Sequence, residues 1–464
     1  NKVNKGKINS IFAFKKPDQS VEEKMRIFIV MDDQAFSKVE SPHYRAMMKA
    51  ANNDSPILTR SSMVAWLSCQ TAIAKESLKE MLKDQQISLT TDHWTSLTGD
   101  NYMAITAHYI NDDWEMVSMC LCCEKTQAGS TAPEVSAEVT RVLTEYGIRH
   151  EDIVATVTDS APNMNTAGQH HFPTTHHYCA AHVLELTTKK AFNINGADTM
   201  AHARALVGHF KGSSQDTAIL KQLQIADVGV PVGVIPDVVT RWWSTFRMVQ
   251  RLLRLRAKFT LMQTDHNLRC NLIDQEWVDV QLLHDLLEPF MHIQKVLEGE
   301  QYVTISILLS LVSMSRQNLI HAVNNGPQSF RALCQEMLFD FNLRWGDGTQ
   351  VYTGETTRGA RNRLVGLQPL AVEATALDPR TKSLIGVTED QKQLVWDSIA
   401  VKCVAAGAAA APAAGAAAAP VDNHVADFFA YHAQGVEDEN APTALTILMD
   451  EVSNEVKRFR QEPT

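Results

Sequence analysis

Two short β-prone runs each end in an aspartate, and this pair constrains the fold more than anything else in the chain. Ile87-Ser88-Leu89-Thr90-Thr91-Asp92 opens into His93-Trp94-Thr95-Ser96, and Ile153-Val154-Ala155-Thr156-Val157-Thr158-Asp159 opens into Ser160-Ala161-Pro162-Asn163-Met164. Runs of β-branched and aliphatic residues favour strands. Carboxylates at the ends of two neighbouring strands can share a pair of divalent ions. Such ions activate a water and stabilise the leaving oxygen of a phosphodiester. A strand-end aspartate also serves to cap the next turn or helix. For one such residue the cap is the plainer reading; two in matched settings favour the ligand reading.

The residues between them read as a hairpin and a helix. Tyr102 to Ile110 and Trp114 to Cys122 are two β-prone stretches separated by Asn111-Asp112-Asp113. From Ala132 to Tyr146, Val135, Val139, Val142, Leu143 and Tyr146 recur at three- and four-residue steps, and Gly147 stops the pattern. A short polar helix follows the second aspartate, then a strand near His177 to Ala180. The order is three strands, helix, strand, helix, strand, helix. That is the order of a ribonuclease-H-like fold, so the expected class is α/β with a mixed five-stranded sheet.

At these positions the chain resembles the hAT superfamily of DNA transposases and the BED-finger genes domesticated from them. The matches are collinear. They run from Thr91-Asp92-His93-Trp94-Thr95-Ser96 and Val157-Thr158-Asp159 through Cys179-Ala180-Ala181-His182 and Thr240-Arg241-Trp242-Trp243-Ser244 to Leu377-Asp378-Pro379-Arg380. The resemblance implies a metal-dependent DNA strand cleavage and transfer site, with Asp92 and Asp159 as catalytic ligands for two Mg²⁺ or Mn²⁺ ions. It gives Cys179 and His182 a part in shaping that site. It implies DNA partners (transposon ends and target DNA), a nuclear location, and a homo-oligomer formed through a C-terminal region that this chain lacks. The division it implies is a basic linker over 1–18, with the BED finger upstream and absent, and a helical segment over 19–85. A ribonuclease-H-like core over 86–192 and a large all-helical insertion over 193–400 follow. An Ala-rich linker over 401–422 and a helical tail over 423–464 complete it.

Composition narrows the field. The chain has 464 residues, enough for two or three domains, and a net charge of −10. That excludes a protein coated in positive charge but leaves room for a local basic patch. No run is apolar enough for a membrane span. The 8 cysteines form no disulfide framework. Cys120, Cys122 and Cys123 read as small hydrophobes packed in a strand. The first residue is Asn rather than Met, and the expectation is a fragment.

A basic patch lies between Thr240 and Lys258, a stretch without acidic residues. On a helix, Arg247, Arg251, Arg254 and Lys258 share one face, offset from Met248, Leu252, Leu255 and Phe259. The cations either contact phosphates or form a solvated face paired to acids elsewhere. Arg241 and Trp242 join the DNA-contact set through the resemblance. Trp242 either stacks on an extruded base or packs in a core. His170, His171, His176, His177, Cys179 and His182 lie close in sequence, yet lack the paired Cys-x-x-Cys half of a zinc site.

The fold needs a third carboxylate, which hAT enzymes carry in a Ser-Glu-Arg segment. That segment does not occur here, and nothing ties Glu451 or Glu455 to the role. Efficient cleavage is therefore in doubt. The alternatives are a non-catalytic domesticated nuclear regulator that binds DNA or protein, and a relic without function.

Overall fold

A computed structural model describes residues 20–405, apart from 97, 112, 114, 127–130, 172–174, 195–196, 226–229, 239–242, 267, 269, 300–301 and 356–364. At 165, 169–171, 175, 190–194, 197–198 and 403–405 no side chain is described. The expected N-terminal linker, most of the Ala-rich linker and the C-terminal tail, with Glu451 and Glu455, lie outside the described residues. Two compact units meet in sequence between His176 and His177.

The first unit begins with three helices, α1 (Val21–Met31), α2 (Pro42–Ala51) and α3 (Arg60–Leu82). Ser20 caps α1 by accepting from the Glu23 amide at 3.2 Å. Met25, Ile29, Val39, Tyr44, Leu58 and Met63 form a small core for these helices.

The sheet follows: β1 (Ile87–Thr95), β2 (Asn101–Ile110), β3 (Met116–Lys125), β4 (Ile153–Thr158) and β5 (Thr175–Tyr178), in the spatial order β3-β2-β1-β4-β5. β1 pairs antiparallel with β2 and parallel with β4, so the sheet is mixed. Helix α4 (Ala132–Tyr146) lies between β3 and β4 in sequence, and α5 (Pro162–His171) between β4 and β5. This is the ribonuclease-H-like α/β architecture expected from the pattern.

Helix α4 shows why periodicity worked. Glu134 turns back to accept from the Thr131 amide at 3.0 Å, and Gly147 ends the helix in the left-handed region at φ 70. Val135, Val139, Val142, Leu143 and Tyr146 bury against Leu89, Ile105 and Ala107 of the sheet. Each such aliphatic burial contributes about 1.5–3 kcal/mol. The Tyr146 hydroxyl donates to the Leu121 carbonyl at 2.8 Å.

Two local expectations are corrected. β1 does not end at Asp92; it runs on to Thr95, because His93, Trp94 and Thr95 pair with Met103, Tyr102 and Asn101. The fifth strand lies at Thr175–Tyr178 rather than His177 to Ala180, since α6 (Ala180–Ile194) claims Ala180 for its first turn.

The second unit is helical: α6, then α7 (Ala197–Gly212), α8 (Ser214–Ile225), α9 (Ser244–Asp265), α10 (Asp274–Leu297), α11 (Leu308–Asn325) and α12 (Gln328–Trp345). Last come α13 (Pro369–Leu377) and α14 (Glu389–Ala405). Its main core joins Val183 and Leu184 of α6 to Phe210, Phe246, Phe259, Trp277, Phe290 and Phe341. That packing puts α6 with the helices, so this unit starts earlier than the expected boundary after 192. No helix among the described residues is long and apolar enough to cross a membrane.

Candidate functional site

Register brings the two aspartates together. The β1–β4 ladder is parallel, and Thr90 pairs with Val157 at its last position. Two residues further along each strand come Asp92 and Asp159. Asp92 is still within β1 and Asp159 is the first residue past β4, so the register brings the two positions to the same end of adjacent parallel strands. Asp92 is exposed and still paired with Ala104 of β2. Asp159 sits just past the end of β4 and its Oδ1 accepts from the Ala161 amide at 3.0 Å. The cap reading therefore holds for one oxygen of Asp159 and leaves the other for a ligand.

His93 registers the field of both. Its imidazole is pushed below the ordinary value by burial, against the opposing pull of Asp159, Asp92 and Glu138. Its buried Nε2 has no hydrogen-bond partner among the described residues. Pattern reasoning did not single out His93, because only the packing shows that it feels the charge of both carboxylates.

Two carboxylates fit a hard divalent cation in kind. Among the described residues no group of three His, Cys, Asp or Glu side chains is arranged to hold a metal. Glu138, the third acid felt by His93, is engaged by Arg141 at 2.9 Å. Glu373 is buried, but it accepts from Tyr352 and Ser398, both at 2.8 Å, and from Lys402, all in the helical unit. The zinc alternative gains nothing either. His177 is buried and pushed down to about 4 by that burial, and His176 hydrogen-bonds Thr158.

Cys179 occupies the single-residue junction between β5 and α6, where its carbonyl accepts from the Val183 amide at 3.1 Å. His182 lies in the first turn of α6. Both fall in the helical unit, whereas Asp92 and Asp159 belong to the first.

Arg241 and Trp242 lie outside the described residues. Their neighbour Trp243 adopts φ 58 and sets its indole edge-on to Phe246, with centroids 5.9 Å apart. Asp237 then anchors the start of α9. It accepts from Ser244 and Thr245, both at 2.9 Å, and from Arg204 Nε at 2.8 Å. Burial alone would raise this carboxyl; the three donors outweigh it and hold it below its usual range. No sequence pattern marked Asp237 or Arg204.

Along α9 the amphipathic reading holds. Met248, Leu252, Leu255 and Phe259 are buried. Arg247 and Arg254 are exposed, while Arg251 and Lys258 are half-buried. Arg251 donates to the Gly233 carbonyl, and Arg256 lies over the Trp277 ring, 5.5 Å from its centroid. Burial and then the neighbouring Arg254 charge lower the Arg251 guanidinium from its usual value. The ion pairs of this unit form elsewhere, as in Arg204–Asp237 and Arg344–Asp340. Among the described residues no acid pairs with Arg247, Arg251 or Arg254.

Comparison with known proteins agrees with this architecture. Residues 90–177 match the ZBED1 RNase-like domain, and residues 177–286 match the ZBED1 RNase-like helical domain. A Zea mays protein described as an AC transposase is 26% identical over 323 residues, covering 65% of this chain and 39% of that protein. A transcriptional regulator of Talaromyces stipitatus is 24% identical, covering 62% of this chain and 39% of the relative. Zinc finger BED domain-containing protein 4 of Homo sapiens is 22% identical, covering 70% and 27%. The chain thus spans about a third of the length of the curated relatives it matches. On these matches and the sheet order, residues 90–286 are similar to the ZBED1 RNase-like domain and its helical companion, and the chain resembles hAT-type transposases.

Proposed function

We propose that the protein carries the strand-cleavage and transfer site of a hAT-type transposase, with Asp92 and Asp159 as ligands for Mg²⁺ or Mn²⁺. The observation that supports this most is the Thr90–Val157 register, which brings the positions of Asp92 and Asp159 to the same end of adjacent parallel strands. Bound ions would supply an activated water and stabilise the oxygen leaving a phosphodiester. The chain's own residues do the rest. Ala161 fixes one oxygen of Asp159 and aims the other. β2 holds Asp92 in place. Among the described residues no group of three such ligands is arranged to hold a metal, and the reading is metal uptake by these two carboxylates. The α9 stripe would contact phosphates of the DNA without reading its sequence, and the setting would be the nucleus.

Titration with Mn²⁺, followed by the electron paramagnetic resonance of the free ion, tests the site. Asp92→Asn or Asp159→Asn should abolish uptake. Unchanged uptake in both would sink the metal reading.

A second reading, a non-catalytic nuclear DNA-binding regulator, is favoured by one observation: the side of α9 that carries Arg247, Arg251 and Arg254, with Arg247 and Arg254 exposed. It replaces the first if the chain binds duplex DNA yet neither aspartate variant alters Mn²⁺ uptake.

A further inference from the structure

Behind Asp159 lies a buried polar relay. Thr158 Oγ1 donates its single hydrogen to the Asp159 carbonyl at 2.8 Å. The same oxygen lies 2.8 Å from His176 Nε2. With the hydroxyl hydrogen committed, this second contact is a hydrogen bond only if Nε2 is the donor, which sets the tautomer of the ring. Thr158 is 1% exposed and His176 6% exposed, so water cannot stand in for either partner. Leaving a buried polar group unpaired costs about 1–3 kcal/mol.

Helix α5 leaves room for this ring at one position. A Cβ on Gly168 would lie 2.7 Å from Cδ2 and Nε2 of His176. Real Cβ atoms do not approach other atoms so closely, so any side chain at 168 must displace the ring or the helix. Three elements therefore converge on the residue that begins the turn after β4: the strand end, β5 through His176, and α5 through Gly168.

We infer that His176 is a positioning residue for Asp159, orienting its peptide carbonyl through Thr158 in the space that Gly168 leaves free. With the Ala161 amide on Oδ1, Asp159 is held at its backbone and at one carboxylate oxygen. Its remaining oxygen is thereby preset for a cation. The inference rests on the reading of Asp159 as a metal ligand, and its test separates the two.

The variants are His176→Leu, of similar bulk without a donor, His176→Gln, whose amide NH₂ reaches to about the place of Nε2–H, and Gly168→Ala. Two readouts are taken on the full chain: Mn²⁺ affinity, and hydrogen exchange at the Ala161 amide, which needs no metal. His176→Leu should weaken Mn²⁺ binding about tenfold, the size typical of partners that orient a ligand, and accelerate Ala161 exchange. His176→Gln should restore both, and Gly168→Ala should reproduce the loss. Equal losses in the leucine and glutamine variants would mean that the ring only fills space, and the inference would fall. Unaltered Ala161 exchange in His176→Leu would overturn it as well. If the wild-type chain takes up no Mn²⁺, the metal reading fails by itself, and the exchange pattern still decides whether His176 orients Asp159.

Discussion

Trp94 of β1 stacks on Tyr102 of β2, with ring centroids 5.6 Å apart and planes 13° from parallel. The pair sits opposite in register, two positions beyond the Asp92–Ala104 pair. It extends the β1–β2 ladder past the point where β1 and β4 part. Asp92 is therefore an interior residue of a strand and inherits that strand's rigidity.

Trp94→Ala should remove this stacking, worth about 0.5–1.5 kcal/mol beyond area burial. Trp94 is 39% exposed, so little core packing is lost. The expected fall in urea stability is about 1–2 kcal/mol with an unchanged m-value. A Trp94→Phe chain should recover most of it. A neutral alanine variant would show that the ladder beyond Asp92 does not depend on the pair.

Gly147 takes φ 70, and a methyl group at its α-carbon would meet nothing within 4 Å. The only cost of Gly147→Ala is then the left-handed backbone, about 1–2 kcal/mol. Gly147→Asn should cost less, because Asn tolerates that region. Chemical denaturation of the three chains checks the ranking glycine, asparagine, alanine.

His177 carries an acid-sensitive contribution. Burial pushes its imidazole down to about 4, against roughly 6.5 in an unfolded chain. Between those values the unfolded state binds more protons, so stability rises with pH. The contribution is complete above about pH 6.5 and is lost as pH falls toward 4, on the order of 3 kcal/mol over the window. His177→Phe should flatten that slope relative to wild type. Parallel slopes in the two chains would show that His177 does not titrate this way.

The α9 stripe predicts a salt effect. Each phosphate neutralised contributes about 0.9 to the slope of log K against log salt. Replacing Arg247, Arg251 and Arg254 with Gln should lower that slope by about 2–3 on duplex DNA, nearly equally for unrelated sequences. Fluorescence anisotropy across a salt series measures it. A slope and affinity equal to wild type would show the stripe to be a solvated face.

Much of the fold was legible in the chain because its elements are locally encoded. The spacing of Val135, Val139, Val142, Leu143 and Tyr146 with Gly147 behind them suffices for α4, and its observed bounds are those of the pattern. The α9 apolar face was legible for the same reason. Cys120, expected to pack as a small hydrophobe, is exposed instead, because it lies on the face of β3 opposite the buried Val117, Met119 and Leu121, and Cys123 is exposed near the end of this edge strand.

By itself the sequence determined the two β runs that lead to Asp92 and Asp159, the order of strands and helices, and the cationic face of one helix. These rest on local propensity and on periods of two and 3.6 residues, which neighbours in sequence enforce. Only the tertiary structure decided that Thr90 meets Val157 and so brings the positions of Asp92 and Asp159 to the same end of adjacent strands. It alone decided that no acid among the described residues neutralises Arg247 and Arg254, and that Gly168 makes room for His176. Those relations join residues far apart in the chain. They follow from register and close packing, and no local pattern carries them.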